Sequence, residues 1–260
     1  MTAEKAPRMP EVRVVTAKDI TDSLKLAWAD IKSCGGKSLL FGLIAAAFGI
    51  AIVASIAWLD IPWMIYPFMI GFPLVGPFLA VGLYDISRRK ERGEKLAWGQ
   101  IWRVIWAQRG REVSWMAFVM LFVFWVWVYQ VRLLMALFLG MKSFSTLADF
   151  AKVVLGTSEG WAFLAVGHVF GAVLALAMFS LTVIAIPLLL EREVDVVTAM
   201  ITSVKAVFAS PVVMLGWGLI VTALVIAASL PLFLGIIFVL PLLGHATWHI
   251  YRRAVVPLPV

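Results

Sequence analysis

The chain has 260 residues, 63% hydrophobic and 14% charged, with a net charge of +7 and a mean hydropathy of +0.99. Soluble domains hold about 25% charged and about 45–50% apolar residues, so this composition excludes the soluble globular class and indicates a lipid-embedded one. The positive charge sits at the ends of apolar runs, which excludes nucleic acid as a partner and reads as an orientation signal, and the single cysteine, Cys34, rules out an intrachain disulfide or a cysteine-based metal cage.

Residues 1–16 hold two prolines and no helical period, and are expected to be a flexible cytoplasmic tail. From Ala17 to Ser33, Leu24, Ala27, Trp28 and Ile31 recur at three and four residues. Asp19, Asp22, Lys25, Asp30 and Lys32 surround them, which predicts a short interfacial helix broken by Gly35-Gly36. The first 37 residues carry seven Lys/Arg and no long apolar stretch, so the first span is expected to act as its own insertion signal.

Six spans follow, each near the roughly 20 residues that a bilayer core requires: 38–59, 61–84, 112–139, 161–190, 212–229 and 231–251. The second carries Pro62, Pro67, Pro73 and Pro77 and is expected to be kinked or partly unwound. Pro187 stands near the exit of the fourth, and Ser229-Leu230-Pro231 is the expected hairpin between the last two. The loop 141–160 has apolar residues at 147, 150, 151 and 154, which predicts a short helix on the outer surface.

Between the second and third spans, Tyr84–Arg111 combines a cluster of positive charge with Trp98, Trp102 and Trp106. Four-residue spacing puts the three indoles on one side of a helix, with Gln100 and Arg103 off that stripe. Indoles favour the headgroup zone and basic residues the cytoplasmic leaflet, so 95–109 is read as an interfacial helix anchored by these three tryptophans. A third surface helix is expected at 194–209, after Glu191-Arg192-Glu193.

Nineteen of the 22 Lys/Arg fall on one side of this arrangement, with Lys142 and Lys152 opposite and Arg132 in or at the edge of the third span. Positive loops stay in the cytoplasm, so both termini are placed inside. The fold class is an all-α integral membrane protein of six transmembrane helices with cytoplasmic interfacial amphipathic helices. It forms a single membrane domain over 17–253, followed by a short C-terminal tail, 254–260.

Surface helix, span, turn and returning span recur three times. Pro73-Leu-Val-Gly76 with Tyr84 and Arg88-Arg89 parallels Pro241-Leu-Leu-Gly244 with Tyr251 and Arg252-Arg253, while the fourth span keeps only Pro187-Leu-Leu. Three pseudo-repeated hairpins and chance agreement among Leu, Gly and Pro both account for this likeness.

Three phrases, GFPLVGPFLAVGLYDISRRKERGE (71–94), IPLLLEREVDVVTAMITSVKAV (186–207) and LPLLGHATWHIYRRAVVP (240–257), resemble a family of bacterial multi-spanning inner-membrane proteins. That family is known as a domain of unknown function, family 2189, and the resemblance runs over nearly the whole chain beyond the tail. It implies a multi-pass protein of the bacterial inner membrane and brings no established activity. Labels linking some members to cytochrome oxidase subunits are at odds with this chain, because a copper–haem core needs more histidines than the three present.

Ionisable groups at membrane depth are the default functional candidates. Arg132 lies about 20 residues into the third span, where it either snorkels or contacts an anion at the outer face. His168 stands in the fourth span between Gly167 and Gly171, which with Ala175 form a small-residue packing stripe. His245 and His249, four apart, share a face near the inner end of the sixth span. They are either interhelical hydrogen-bonders or metal ligands, with Asp85, Glu191 and Glu193 as the remaining donors. No Ser, His and Asp are expected at one depth, no carboxylate falls inside a span, and no cofactor is implied.

Three functions compete. The first is a non-enzymatic accessory, scaffold or assembly protein that binds lipid, other membrane proteins or itself. The second is a small-solute transporter or channel built around the proline-bearing second span, where Pro73, Gly76 and Pro77 would line the path. The third is a respiratory-chain subunit with a His245/His249 metal site.

Overall fold

The computed structural model describes residues 9–57, 65–140 and 147–257, with backbone alone at 55–57, 65–75 and 147–148. The turn expected after the first span, with Pro62, lies outside the described residues, as do Lys142 and the Pro73 side chain. Among the described residues eleven α-helices run in order: α1 (Ala17–Cys34), α2 (Gly36–Ala57), α3 (Ile65–Glu91), α4 (Trp98–Ala107), α5 (Glu112–Leu139), α6 (Leu147–Gly156), α7 (Ser158–Thr182), α8 (Ala185–Glu191), α9 (Val196–Ala209), α10 (Pro211–Ser229) and α11 (Ile236–Ala254). A 3-10 turn, Gln108–Gly110, follows α4. Among the described residues the only β feature is an isolated bridge between Val12 and Val255.

Local chemistry sets several boundaries. Thr16 and Asp19 form a reciprocal capping box at the start of α1, and Asp195 accepts the Thr198 N–H (2.8 Å) to open α9. Pro187 has no N–H to offer the carbonyl of Val183, so the fourth apolar run is interrupted. Helix α7 ends at Thr182, α8 resumes at Ala185, and the Ile184 N–H is given to Ser203 Oγ of α9 at 3.1 Å.

The second span is helical throughout rather than unwound: its backbone is one continuous helix through Pro67, Pro73 and Pro77, and it runs on to Glu91 rather than stopping at Tyr84. A helix tolerates proline where neighbouring groups and small local adjustments take up the freed carbonyls.

Four helical runs are long and apolar enough to cross a membrane: Gly36–Ala54, Glu112–Leu139, Ser158–Glu191 and Pro211–Ser229. The six-span count is therefore not reached on length and composition among the described residues. Helix α3 ends in Arg88, Arg89 and Lys90, and α11 in Arg252 and Arg253.

The chain groups into two compact units, Met1–Phe118 with Ser180–Val260, and Val119–Phe179. In the first, α11 is the central helix, touching α1, α2, α3, α8 and α10. A glycine permits its closest approach: a Cβ on Gly42 of α2 would lie 2.2 Å from the Ile237 carbonyl oxygen. The segment expected to be a loose tail is hydrogen-bonded from Glu11 onward. Arg13 N–H reaches Ala254 O (2.8 Å), Val256 N–H reaches Glu11 O (2.9 Å), and Val15 N–H reaches Ser210 Oγ (2.7 Å).

In the second unit α5, α6 and α7 close over Leu134, Leu139, Val154 and Phe163. Gly171 lets the Trp127 indole pack onto α7, since a Cβ there would stand 3.0 Å from Trp127 Cη2.

Candidate functional site

Helix α1 does more than lie at an interface. Its face of Ile20, Ser23, Ala27, Asp30, Ile31 and Cys34 is buried, whereas Trp28 is half exposed. Docking α1 along α11 carries Asp30, 3% exposed, into the first unit beside His245 and His249. A buried carboxylate needs partners, and three side chains supply them.

Asp30 Oδ2 accepts from Ser87 Oγ of α3 at 2.6 Å and from His249 Nε2 of α11 at 2.8 Å, while Lys90 Nζ lies 2.9 Å from Oδ1. Ser87 has one hydroxyl proton, and an ionised carboxylate can only accept it. His245 Nδ1, 2.7 Å from Ser87 Oγ, must therefore donate, which leaves Nε2 as the acceptor for the Ser38 hydroxyl of α2 at 2.9 Å. The chain of donors runs from Ser38 through His245 and Ser87 to Asp30, and joins four helices.

His249 differs from its neighbour. Its Nε2 faces Asp30 and its Nδ1 lies 3.3 Å from Glu91 Oε1, an arrangement that only the doubly protonated ring serves fully. Arg252 extends the network, with Nε 3.3 Å from Glu91 and one terminal nitrogen 2.8 Å from Glu191, which also accepts from the Tyr251 hydroxyl. Arg253 reaches Ser23 Oγ at 3.2 Å and Asp19 Oδ1 at 3.5 Å on α1. Burial tends to raise the carboxyl pKa of Asp30, but the hydrogen bonds from His249, Ser87 and Lys90 outweigh it and hold the group well below the ordinary carboxylate range.

This geometry gives the nitrogens of His245 and His249 protein partners. All four ring nitrogens already face protein partners. Among the described residues no group of three His, Cys, Asp or Glu is placed to hold a cation. The proposed co-ligands are engaged elsewhere: Asp85 pairs with Arg88 and Arg89 one turn along its own helix, and Glu191 pairs with Arg252. Ser, His and Asp do meet at one level, contrary to expectation, because α1 brings Asp30 in. Ser87 gives its proton to Asp30 rather than to the imidazole, and Ser38 is fully buried, so the set is arranged as a clasp and not for nucleophilic attack.

Beside the clasp lies a cavity of about 450 Å³ between α2, α3, α10 and α11. Leu79, Leu83, Val225, Leu240 and Leu243 give it an apolar wall, and Gly76 opens space on the α3 side. Ser229 and Thr247 also line it, but each turns its hydroxyl onto a carbonyl four residues back, at 2.8 Å. Tyr84 contributes a ring that stacks with Trp248 at 6.4 Å. Pro77 is buried nearby on α3.

The remaining sequence candidates are separate. On α4, Ile101 and Ile105 are buried while Trp98, Trp102 and Trp106 are 36%, 44% and 65% exposed, with the Arg109 guanidinium stacked 3.3 Å over Trp106. Arg132 is exposed on α5, and His168 lines a groove in the second unit. Sequence reasoning missed Asp30, Ser38, Ser87, Lys90 and Glu91. Asp30 carried one usable signal, three residues after Ala27 and therefore on the helix face that becomes buried.

Exposed apolar rows on α5 (Phe118, Phe122, Tyr129, Leu133, Leu137) and α10 (Val212, Leu215, Leu219, Ile226) would be untenable in water. Together with the long apolar helices they define an all-α integral membrane protein. Residues 64–191 match the model of a family described as predicted integral membrane protein (DUF2189). The match covers less of the chain than the three phrases suggested. Neither a curated protein nor a solved structure matches.

Proposed function

We propose that this is a non-catalytic accessory or scaffold protein of the bacterial inner membrane that holds the acyl chain of a membrane lipid in the cavity of its first unit. The observation that carries this reading is the cavity wall, where the hydroxyls of Ser229 and Thr247 are turned back on their own helix and the rest, apart from the Tyr84 hydroxyl, is hydrocarbon, glycine or ring. Such a surface gains about 25 cal/mol per Å² from apolar contact and offers little to a hydrated solute. The same wall weakens the transporter reading, as does the unbroken course of α3. The engaged ring nitrogens of His245 and His249 weaken the respiratory metal-site reading.

In this proposal α3 and α11 cross the bilayer with the four apolar runs, giving six spans with both termini in the cytoplasm. Helices α1, α4 and α9 then lie at the inner surface, where the Lys/Arg excess belongs. Membrane partners would meet the exposed apolar rows of α5 and α10.

The test is purification from native membranes in mild detergent, with native mass spectrometry of the intact particle. Co-purified lipid or a partner protein at fixed stoichiometry is expected. Recovery of bare, monodisperse chains would sink the reading.

A further inference from the structure

The turn between α10 and α11 holds backbone strain at the wall of the first unit's cavity. Leu232 and Phe233 have φ of 50° and 63°, the left-handed region, and among the described residues they are the only non-glycine residues there. A side chain is disfavoured in that region because its Cβ crowds the following carbonyl, and two in succession persist only where the surroundings impose them. The leucines of the turn, Leu230, Leu232 and Leu234, face outward and are exposed. Phe233 turns inward, and its ring lines the cavity beside Ser229 and Ile236. This is the end away from Thr247, which lies eleven residues further along α11 than Ile236, about 16 Å at roughly 1.5 Å per residue.

The seat of the ring is a glycine. A Cβ on Gly49 of α2 would stand 2.5 Å from Phe233 Cγ and Cδ1, so the ring rests directly on bare backbone. The turn is pinned on its other side by Gly235, where a Cβ would lie 2.7 Å from Ala228 Cα of α10. Phe233 N–H donates to Ser229 O at 3.1 Å, and Phe233 O accepts from Ile236 N–H at 3.0 Å. Between these fixed points the tip of the turn, 230–234, is the part free to change its dihedral angles.

We infer that Phe233 is a gate of this cavity. Seated on Gly49 it closes the α2 side, and relaxation of Leu232 and Phe233 to negative φ lifts the ring and admits an acyl chain. The occupant is the one assigned to the cavity above, and the inference rests on that reading for it. Three exposed leucines at one tip are at home in hydrocarbon, so the entrance opens to the bilayer and the chain arrives from lipid. The strain has a use here: it raises the closed state toward the open one, while burial of the ring offsets it and keeps the gate shut at rest.

The experiment acts on Leu232, whose side chain stays outside the cavity. Leu232→Gly removes the left-handed penalty and favours the closed turn, whereas Leu232→Ile, isomeric but β-branched, raises the penalty. The full chain in mixed micelles is given excess chain-deuterated phosphatidylglycerol, and native mass spectrometry follows replacement of the bound lipid. Exchange should be about fivefold slower in Leu232→Gly and faster by a similar factor in Leu232→Ile, the effect of one left-handed penalty removed or enlarged. It should be fastest in Phe233→Ala, where the residue at 232 should no longer matter. A membrane-soluble phenyldiazirine photolysed with the protein in nanodiscs reads the gate without reference to bound lipid, and labelling of residues 240–247 should rise in the same order. Equal exchange and equal labelling in Leu232→Gly and Leu232→Ile overturn the gate, as does a dependence on residue 232 that survives in Phe233→Ala. Should Leu232→Ile not fold, Leu232→Gly against the unaltered chain carries the same comparison. Labelling in the expected order with no lipid retained by any variant keeps the gate and removes the acyl chain; lipid retained with exchange indifferent to both residues does the reverse.

Discussion

His249 donates to Asp30 across the α11–α1 contact, Nε2 to Oδ2 at 2.8 Å, and this pair closes a network that no single helix could build. Three further groups, Ser87, Lys90 and Glu91, stand on α3 around the same two residues. Helix α1 is held to α3 and α11 by buried polar contacts as well as by Ile20, Ala27 and Ile31.

Replacing Asp30 with alanine leaves Ser87, His249 and Lys90 without their acceptor. Breaking one side of a buried pair costs about 3–5 kcal/mol. The thermal midpoint in detergent should drop, and limited proteolysis should cut within α1 first. An unchanged midpoint with protected α1 would show that the apolar face holds the helix by itself.

Acid should act through the same carboxyl. Its pKa is lowered in the folded protein, so the stability it contributes is present above the ordinary carboxylate value, about 3.9, and is lost as pH falls toward the lower folded value. Unfolding midpoints of the unaltered protein should decline between roughly pH 5 and pH 2 more steeply than those of Asp30→Asn, which has no proton to take up there. Parallel curves would remove Asp30 from the account.

Gly42→Ala tests the packing of α2 on α11. The new methyl would meet the Ile237 carbonyl at 2.2 Å, a backbone atom that cannot step aside. A destabilisation of about 1–3 kcal/mol is expected from overpacking. The readout is the denaturation midpoint, and a neutral result would mean that the two helices are not held this close.

Ala45→Phe should fill the first unit's cavity from the α2 side and expel whatever occupies it. Lipid retained through purification, counted by mass spectrometry, should fall to background while the protein stays folded. Unchanged retention would place the lipid elsewhere, on the exposed rows of α5 or α10.

The orientation of α4 can be read by labelling. Arg103 is exposed on that helix, so Arg103→Cys in a Cys34→Ser background should react with an impermeant maleimide in inverted vesicles and not in right-side-out cells. The opposite pattern would reverse the placement of both termini.

The sequence by itself determined the class and most element positions. Helix α5 begins and ends where its apolar run does, at Glu112 and Leu139, α6 lies where a short apolar period placed it, and α9 follows the charged Glu191-Arg192-Glu193 as expected. The exposed tryptophan stripe of α4 followed from four-residue spacing alone. These features are local: hydropathy length and helical period are written residue by residue and need no partner.

What required tertiary structure was the role of the polar residues around Asp30, His245 and His249. The spacing of His245 and His249 suits a metal, a carboxylate or a hydroxyl equally. Only the docking of α1 on α11 put Asp30 at 2.8 Å and gave His249 Nε2 a carboxylate partner. The course of α3 through its prolines was likewise undecidable locally, because a missing N–H breaks a helix or not according to what else satisfies the freed carbonyls. Burial of Asp30 is stable only when Ser87, Lys90 and His249, from two other helices, arrive together. An energy shared among residues as far apart as 30 and 249 leaves no periodic trace in the sequence between them.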